Sequence, residues 1–459
     1  MGGLNTALLI GVSGLDAAQG ALDATSNNIA NVNTPGYTRE EALLNENQES
    51  ESGNEITGGG VTLDGLQSIR DELLNMQIQQ QTSLQSATDT ESSSLQQIQA
   101  YFTSSGTDIG SALTAFSGSL VQLSANSSNS AAQQGVLSAG QSLASAFNTT
   151  ASGLASAQTE AQQQVPDTIS QINQLTQQIA QLNGQLAQVP AADDGGTTED
   201  QLDQAVQQLA GLTNISVTKT NSGGETITTG NGTPLVIGSQ SFNLTSGIGA
   251  GDVQKVYDSN GKNITSAISG GTLGGSLNIA NTVVPGFMTQ LNTLASQFAT
   301  AFNAAQAAGT DSNGNKGAAF FKGTATLANA AAGISLNLTS PSQIAISSNG
   351  AGGGNGNVAN LSAALTTALP SGLTPASSYA SIVFNVGTAT SNANTQSTAI
   401  GDNLTQLNNL QGSVSAVNID EETANMLRYQ TAYEAASRIV STVQVLDNAA
   451  LNMGSGTSF

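Results

Sequence analysis

Three short stretches of this chain have spacings that suggest chemistry. Asp311-Ser312-Asn313-Gly314-Asn315 alternates side-chain oxygens like a calcium loop, Gly247, Gly249 and Gly251 repeat like a phosphate-cradling turn, and Asp420, Glu421 and Glu422 form an acidic trio. Each falls short of a site. A calcium loop needs glycine at its sixth position and a bidentate acid at its twelfth; those positions hold Lys316 and Lys322. A phosphate loop must open a helix, and no helical pattern follows Gly251. The trio heads a helical pattern, where negative charge favours the positive end of the helix dipole. We read the first two as turns and the third as a helix start. The chain has no His, Cys or Trp. Without histidine it lacks the side chain most used as a base near neutral pH and the commonest zinc ligand. Ser-His and Cys-His pairs are therefore impossible. Carboxylate and lysine chemistry stay open, but no convergent polar site emerges. The expectation is a chain with no catalytic residue, no metal and no cofactor.

Bulk composition narrows the partners. Among 459 residues, 9 are basic and 31 acidic, giving a net charge of −22, and the basic residues are scattered from Arg39 to Arg438. Nucleic acids and anionic membranes need concentrated Lys and Arg to displace counterions, so neither is expected. No apolar run approaches the roughly 20 residues that span a bilayer. The run Ala7 to Val12 has no preceding basic residue and is soon interrupted by Asp16, so a cleaved secretory signal is not expected. The length suits two to four domains.

The elements that organise these residues are long helices. From Leu4, apolar or small residues recur at Leu8, Gly11, Leu15, Ala18, Leu22, Thr25, Ile29 and Val32, in alternating steps of four and three. Leu8, Leu15, Leu22 and Ile29 form one row of this heptad seam, and the other row is mostly small. Thr34-Pro35-Gly36 should end the helix near Asn33, because Pro35 moves Thr34 out of the helical region and Gly36 suits a turn. At the far end Tyr429, Ala432, Ala436, Ile439, Val443, Leu446, Ala450 and Met453 keep the same rhythm. Asn418 and Glu421 resemble a capping box, so this helix should begin near Ile419. Arg428 and Arg438 lie off the seam and are expected to meet acids on neighbouring helices or subunits.

Further seams run along Ile172 to Val189, Val284 to Ala301 and Tyr379 to Val414, the last with a polar middle. Leu66 to Phe102 reads as a long helix, and Ile109 to Leu123 and Val136 to Leu154 as shorter ones. Between Leu212 and Leu277 the pattern changes to short β-rich runs (Ile215 to Val217, Leu235 to Ile237, Phe242 to Leu244, Val253 to Tyr257) punctuated by Asn231-Gly232 and Asn260-Gly261. A second insertion covers Gly309 to about Pro375, with Gly350 to Gly356 a flexible loop. The fold class is a multidomain α+β protein, its long-helix coiled-coil or bundle core formed by both termini, with β-rich insertions. The expected division is 1–65, an axial helix with a turn and β segment; 66–211, helical bundle; 212–279, β-rich domain; 280–308, bundle helix; 309–375, mixed insertion; 376–417, bundle helix; and 418–459, the second axial helix. The terminal seams are rich in Ala, Gly and Thr and bury little apolar area per turn. At roughly 25 cal/mol per Å² such a pair struggles to offset its ordering cost. Such helices need neighbours, which points to self-assembly.

Ala24-Thr25-Ser26-Asn27-Asn28-Ile29-Ala30-Asn31-Val32-Asn33-Thr34-Pro35-Gly36-Tyr37 resembles the amino-terminal signature of the flagellar rod, hook and hook-associated proteins. Val417 to Glu422, followed by Met426-Leu427-Arg428-Tyr429-Gln430-Thr431-Ala432-Tyr433-Glu434-Ala435-Ala436-Ser437-Arg438, is similar to the branch of that family at the hook–filament junction. Ile172-Asn173-Gln174-Leu175, Gly270 to Gly275, Val284 to Phe287 and Gly317 to Phe321 extend the resemblance along most of the chain. The chain departs at Ala416, where that family generally has Gly, and is on the short side for the family.

The resemblance implies a building block without catalysis, outside the cell in the flagellum and exported by the flagellar type III route without a cleaved signal. It implies a ring of copies at the hook tip that permits filament assembly, with partners in the hook protein, in hook-associated protein 3 and in an export chaperone on the carboxyl-terminal helix. The residues expected to carry assembly are Leu8, Leu15, Leu22, Ile29, Asn27, Asn28, Asn31, Pro35 and Gly36 at one end, and Tyr429, Ala436, Ile439, Val443 and Leu446 at the other. Rival readings are another axial protein (hook, distal rod or hook-associated protein 3) or a surface adhesin.

Overall fold

The computed structural model describes residues 2–48, 50–52, 55–104, 106–189, 196–220, 224–324, 326–349 and 354–455. In chain order the elements are α1 (Gly2–Asn31), β1 (Glu40–Glu46), β2 (Ser50–Ser52), β3 (Glu55–Thr57), β4 (Val61–Ser68), α2 (Glu72–Phe102), α3 (Ile109–Ala125), α4 (Ser130–Leu186) and α5 (Thr197–Leu212). There follow β5 (Ile215–Lys219), β6 (Glu225–Thr229), β7 (Pro234–Ile237), β8 (Gln240–Ser241), β9 (Thr245–Ile248), β10 (Gln254–Tyr257), α6 (Gly271–Asn278) and α7 (Val284–Ala307). The rest are β11 (Phe321–Lys322), α8 (Ala330–Gly333), β12 (Ser335–Leu336), α9 (Val358–Thr366), α10 (Pro375–Ser415) and α11 (Ile419–Ser455). This is a multidomain α+β chain dominated by long helices, as its periodicity requires.

The chain divides into two compact units. Unit 1 comprises residues 1–83, 171–244 and 401–459, and unit 2 residues 84–170 and 245–400. In unit 1 the β1–β4 hairpin lies along α1, and the antiparallel sheet β5-β6-β7-β8 packs on the last turns of α4. The β-rich stretch is thus shared, because the β9–β10 hairpin belongs to unit 2.

Unit 2 holds an aromatic centre. Phe116 of α3, Phe298 and Phe302 of α7, and Phe320 and Phe321 pack with ring centroids 4.8 to 6.4 Å apart. Ile334, Ile344 and Leu361 join the same core, so residues from the 309–375 stretch are built into it. Residues 350–353 of the expected Gly350 to Gly356 loop lie outside the described residues.

Several elements differ from their sequence expectation. The two helices expected over Val136 to Leu154 and Ile172 to Val189 are one helix of 57 residues with Pro166 inside it. Its buried stripe continues through Ala157, Ala161, Val165, Ile169 and Ile172, and the small residues in that link do not register as an apolar seam. Leu66 is in β4, and α2 starts only at Glu72, where Asp71 Oδ1 accepts the Leu74 N–H at 3.0 Å. Strand β6 was not expected, because Glu225-Thr226-Ile227-Thr228-Thr229 carries one aliphatic residue. Phe242 to Leu244 is not a strand; it bends between β8 and β9. In α10 the polar middle is explained by its neighbour: Asn394 accepts from Gln96 at 3.0 Å and Ser397 from Gln85 at 3.1 Å, both on α2.

One device recurs where helices meet extended chain. Asn28 donates to the Glu40 carbonyl at 2.8 Å and accepts the Glu40 N–H at 2.9 Å. Asn173 does the same with Leu244 at 2.9 and 2.8 Å, Asn183 with Glu225 at 2.7 and 2.8 Å, and Asn281 with Gln254 at 2.9 and 2.8 Å. A primary amide presents donor and acceptor side by side, so it pairs with one residue's main chain as a neighbouring strand would. A protein with 4% aromatic residues thereby fixes its insertions with amides.

Candidate assembly surface

The terminal helices α1 and α11 run antiparallel. A Cβ at Gly11 would lie 2.9 Å from Val440 Cγ2 and 3.3 Å from Ile439 Cγ2, and one at Gly14 would lie 3.5 Å from the Ala436 Cβ. Glycine at 11 is what allows this approach. The buried residues of α1 are Gly11, Ala17, Ala18, Ala21, Ala24, Thr25 and Asn28; Gly11, Ala18 and Thr25 belong to the small row of the heptad pattern, and the other four lie outside the expected seam. Leu8, Leu15, Leu22 and Ile29 are half-buried on the flank of that row. On α11, Ala436 and Val443 are buried, Tyr429 is half-buried, and Ile439 and Leu446 are exposed. Met453 lies where side chains are outside the description.

The expected turn closes α1. The helix ends at Asn31, Thr34 N–H bonds the Asn31 carbonyl at 2.8 Å, and Gly36 takes φ of 79°. Pro35 and Gly36 are exposed, and the Pro35 carbonyl accepts from Gln204 of α5 at 2.9 Å. Asn27 is exposed, and its carbonyl accepts from the half-buried Asn31 side chain at 3.1 Å. Asn28 is 1% exposed and accepts the Tyr37 hydroxyl at 2.9 Å in addition to clamping Glu40. Burial, then the charge of Glu40, pushes the Tyr37 hydroxyl above its ordinary pKa, which keeps it a donor.

Helix α11 begins at Ile419, with Asn418 Oδ1 accepting the Asp420 N–H at 3.0 Å. The reciprocal half of the capping box is replaced: Glu421 turns to Arg39 at 3.0 Å, and Glu422, 3% exposed, lies 3.9 Å from the same guanidinium. Glu421 and Glu422 of the acidic trio thus tie α11 to the segment after α1. Arg428 stacks 4.8 Å from the Tyr429 ring centre rather than meeting an acid. Arg438 makes no ion pair among the described residues.

The pair leaves much apolar surface uncovered. Leu9 is 63% exposed on α1, and Leu427, Val445 and Leu451 are 61%, 67% and 61% exposed on α11. A groove of about 700 Å³ opens where α10 passes into α11, lined by Val32, Val414, Val417, Ile419 and Arg39. Full burial of a Leu or Val contributes about 1.5–3 kcal/mol, against roughly 0.8 kcal/mol for one methylene. The helix pair therefore holds itself together with small contacts and presents its larger side chains to solvent.

The other candidate stretches are structural. Asp311 Oδ1 accepts the N–H groups of Asn313 and Asn315 at 2.9 and 2.8 Å, forming a turn. Gly247 lies in β9, and Gly249 and Gly251 turn the chain into β10. Among the described residues no group of three or more acids is placed to hold a metal ion. No described helix is long and apolar enough to cross a membrane.

The paired terminal helices joined to inserted helical and β units are those of a flagellar axial protein, and family models agree along the chain. Residues 8–38 match flagella basal body rod protein, 410–453 match the flagellar basal body rod FlgEFG protein C-terminal model, and 95–321 match the flagellar hook-associated protein FlgK helical domain. The two end models describe basal body rod proteins, and the middle one a hook-associated protein. Flagellar hook-associated protein 1 of Bacillus subtilis is 28% identical, with 96% of this chain and 97% of the relative aligned. The proteins of that name from Salmonella typhimurium and Escherichia coli are each 26% identical over 96% of this chain and 98% of theirs. The flagellar hook junction protein FlgK from Burkholderia pseudomallei has a similar fold, with a TM-score of 0.67 at 19% identity, covering 74% of this chain and all of that one. Over 96% of its length the chain is thus similar to flagellar hook-associated protein 1.

Proposed function

We propose that this chain is the structural element of the hook–filament junction, assembling as a ring of copies at the hook tip on which the filament is then built. The observation that carries this is the terminal helix pair, whose close contact uses Gly11, Gly14 and Ala436 while Leu9, Leu427, Val445 and Leu451 stay in solvent. In the ring those side chains meet copies of the same pair, and the half-buried row Leu8, Leu15, Leu22 and Ile29 completes its burial there. One side of the ring meets the hook protein and the other hook-associated protein 3. The chain leaves the cell through the flagellar type III apparatus, with a chaperone on α11 before export. Its role is mechanical, with no chemistry of its own.

A strain lacking the gene tests the reading: it should retain hooks, lose filaments and release filament protein into the medium. Normal filaments in that strain would refute it. In the purified monomer, α1 and α11 should exchange their amide hydrogens faster than α3 and α7, whose side chains form the aromatic core.

A further inference from the structure

The sheet β5–β8 meets α5 across two cations and five carboxylates. Arg70, in the link between β4 and α2, places Nη2 2.8 Å from Asp200, Nη1 2.5 Å from Asp203 and Nε 3.9 Å from Glu199. Lys219, at the end of β5, lies 2.5 Å from Glu199 and 3.3 Å from Glu72. Both cations are engaged by these four acids. The fifth, Glu225, opens β6; its main chain is clamped by Asn183 and it is 7% exposed. Its Oε2 accepts no hydrogen bond. The carboxyl lines a cavity of about 60 Å³ together with Arg70, Asp203, Lys219, Asn75 and Gln79. With every acid ionised the cluster has an excess of negative charge, and Glu225 is among its buried members. An ionised carboxyl buried without a donor is strongly unfavourable, and taking up a proton relieves it.

We propose that Glu225 is a proton-operated latch: with its proton the carboxyl lets the sheet close on α5, and loss of the proton releases β5 and β6 from that helix. Burial first, then the charge of Asp203, pushes the Glu225 carboxyl from 4.5 up to about 8. The groups facing it are Asp203 and Glu199 from α5, Lys219 from β5 and Arg70 from the β4–α2 link, with Glu72 of α2 reaching it through Lys219. From α4 it meets the neutral Asn183. Burial raises the Asp203 carboxyl as well, in spite of Arg70. The latch bears on the axial turn because α5 also holds that turn: Asp200 accepts the Thr38 N–H at 3.2 Å, and Gln204 donates to the Pro35 carbonyl at 2.9 Å.

The pH dependence has a definite sign. A carboxyl raised in the closed form favours closure fully below its ordinary value, and that advantage is lost as pH rises to the raised value. From 4.5 to about 8 the opening equilibrium therefore rises, by up to about tenfold per pH unit, and it is flat beyond.

Hydrogen exchange of the full-length chain, corrected for intrinsic rates, tests this between roughly pH 6 and pH 9, a span that brackets the titration. In the wild type, protection of β5 and β6 should fall steeply and level off above about pH 8. In Glu225→Gln the part of the slope due to this residue should vanish, and the difference between the two proteins separates it from Asp203. If the variant does not fold, carbon NMR of labelled glutamate carboxyls in the wild type decides: one should titrate near 8. Parallel pH profiles in the two proteins, or no glutamate titrating well above the ordinary range, would overturn the latch.

Discussion

Asn183 joins α4 to the sheet through three hydrogen bonds. Its Nδ2 donates to the carbonyls of Glu225 at 2.7 Å and Gly238 at 2.9 Å, and its Oδ1 accepts the Glu225 N–H at 2.8 Å. The side chain is buried. Asn183→Ala removes all three, each contributing about 0.5–1.5 kcal/mol net, and leaves a buried N–H whose lost partner costs about 1–3 kcal/mol. Because the freed carbonyls recover part of this by relaxation, we expect a loss of about 3–5 kcal/mol. That is a large fraction of the roughly 5–15 kcal/mol that holds a domain together. Asn183→Asp is the sharper variant. It keeps the shape but turns both donations into contacts between oxygens beside the acid cluster, so it should be no better tolerated than alanine. Asn173→Ala is the graded control, losing two bonds to Leu244 at 2.9 and 2.8 Å, with an expected loss of about 1–3 kcal/mol. The assay is urea unfolding of the purified chain, with hydrogen exchange assigning the affected transition to unit 1. A loss under about 1 kcal/mol for Asn183→Ala, or better tolerance of aspartate than of alanine, would refute the clamp.

Other outcomes follow from the same geometry. Leu15→Asp, on the half-buried flank of α1, should leave export and the fold of the monomer intact, with under about 1 kcal/mol lost in unfolding. In cells it should prevent stable incorporation, so that filament protein is shed; normal filaments would remove the Leu8, Leu15 and Leu22 row from the assembly argument. Phe320→Ala empties the aromatic centre of unit 2 and should cost about 3–5 kcal/mol in urea unfolding; a near-neutral result would mean that the five rings do not share one core. Asp108 caps α3, its Oδ1 accepting the Ser111 N–H at 3.0 Å, so Asp108→Ala should cost about 1 kcal/mol near neutral pH. Burial opposes ionisation of this carboxyl, but the hydrogen bonds from Ser111 and Gly110 outweigh it and hold it below 3.8. Its contribution is present above that value and lost as pH falls through the lower folded one, so acid should shrink the gap between wild type and variant; a gap that widened would contradict the cap.

The elements open to sequence reasoning are those whose period is carried by large apolar side chains. Val284, Phe287, Leu291, Leu294 and Phe298 mark one face of α7, and all are buried. Thr34-Pro35-Gly36 and Asn418 mark the inner ends of α1 and α11 because they act on the local backbone. The sequence is less legible where burial falls on small or polar residues. Ala157 and Ala161 carry the stripe of α4 through the middle of one long helix without looking apolar enough to extend it. Asn28, Asn173, Asn183 and Asn281 read as ordinary polar positions, yet each pairs with the main chain of a residue distant in sequence.

What the sequence by itself determines is the helical frame with its β-rich insertions, the absence of histidine and cysteine chemistry, and two terminal seams short of apolar bulk. Those properties follow from residue type and local spacing, which the chain carries wherever it folds. Only the tertiary structure decides which row of the α1 seam faces α11. Gly11 meets Val440 and Ile439 and Gly14 meets Ala436, because glycine lets two backbones approach, and Leu8, Leu15 and Leu22 are left half-buried beside them. The meeting of Arg70, Lys219, Asp203 and Glu225 is likewise a tertiary matter. Those four residues come from the β4–α2 link, β5, α5 and β6, and no spacing along the chain encodes the distances between them.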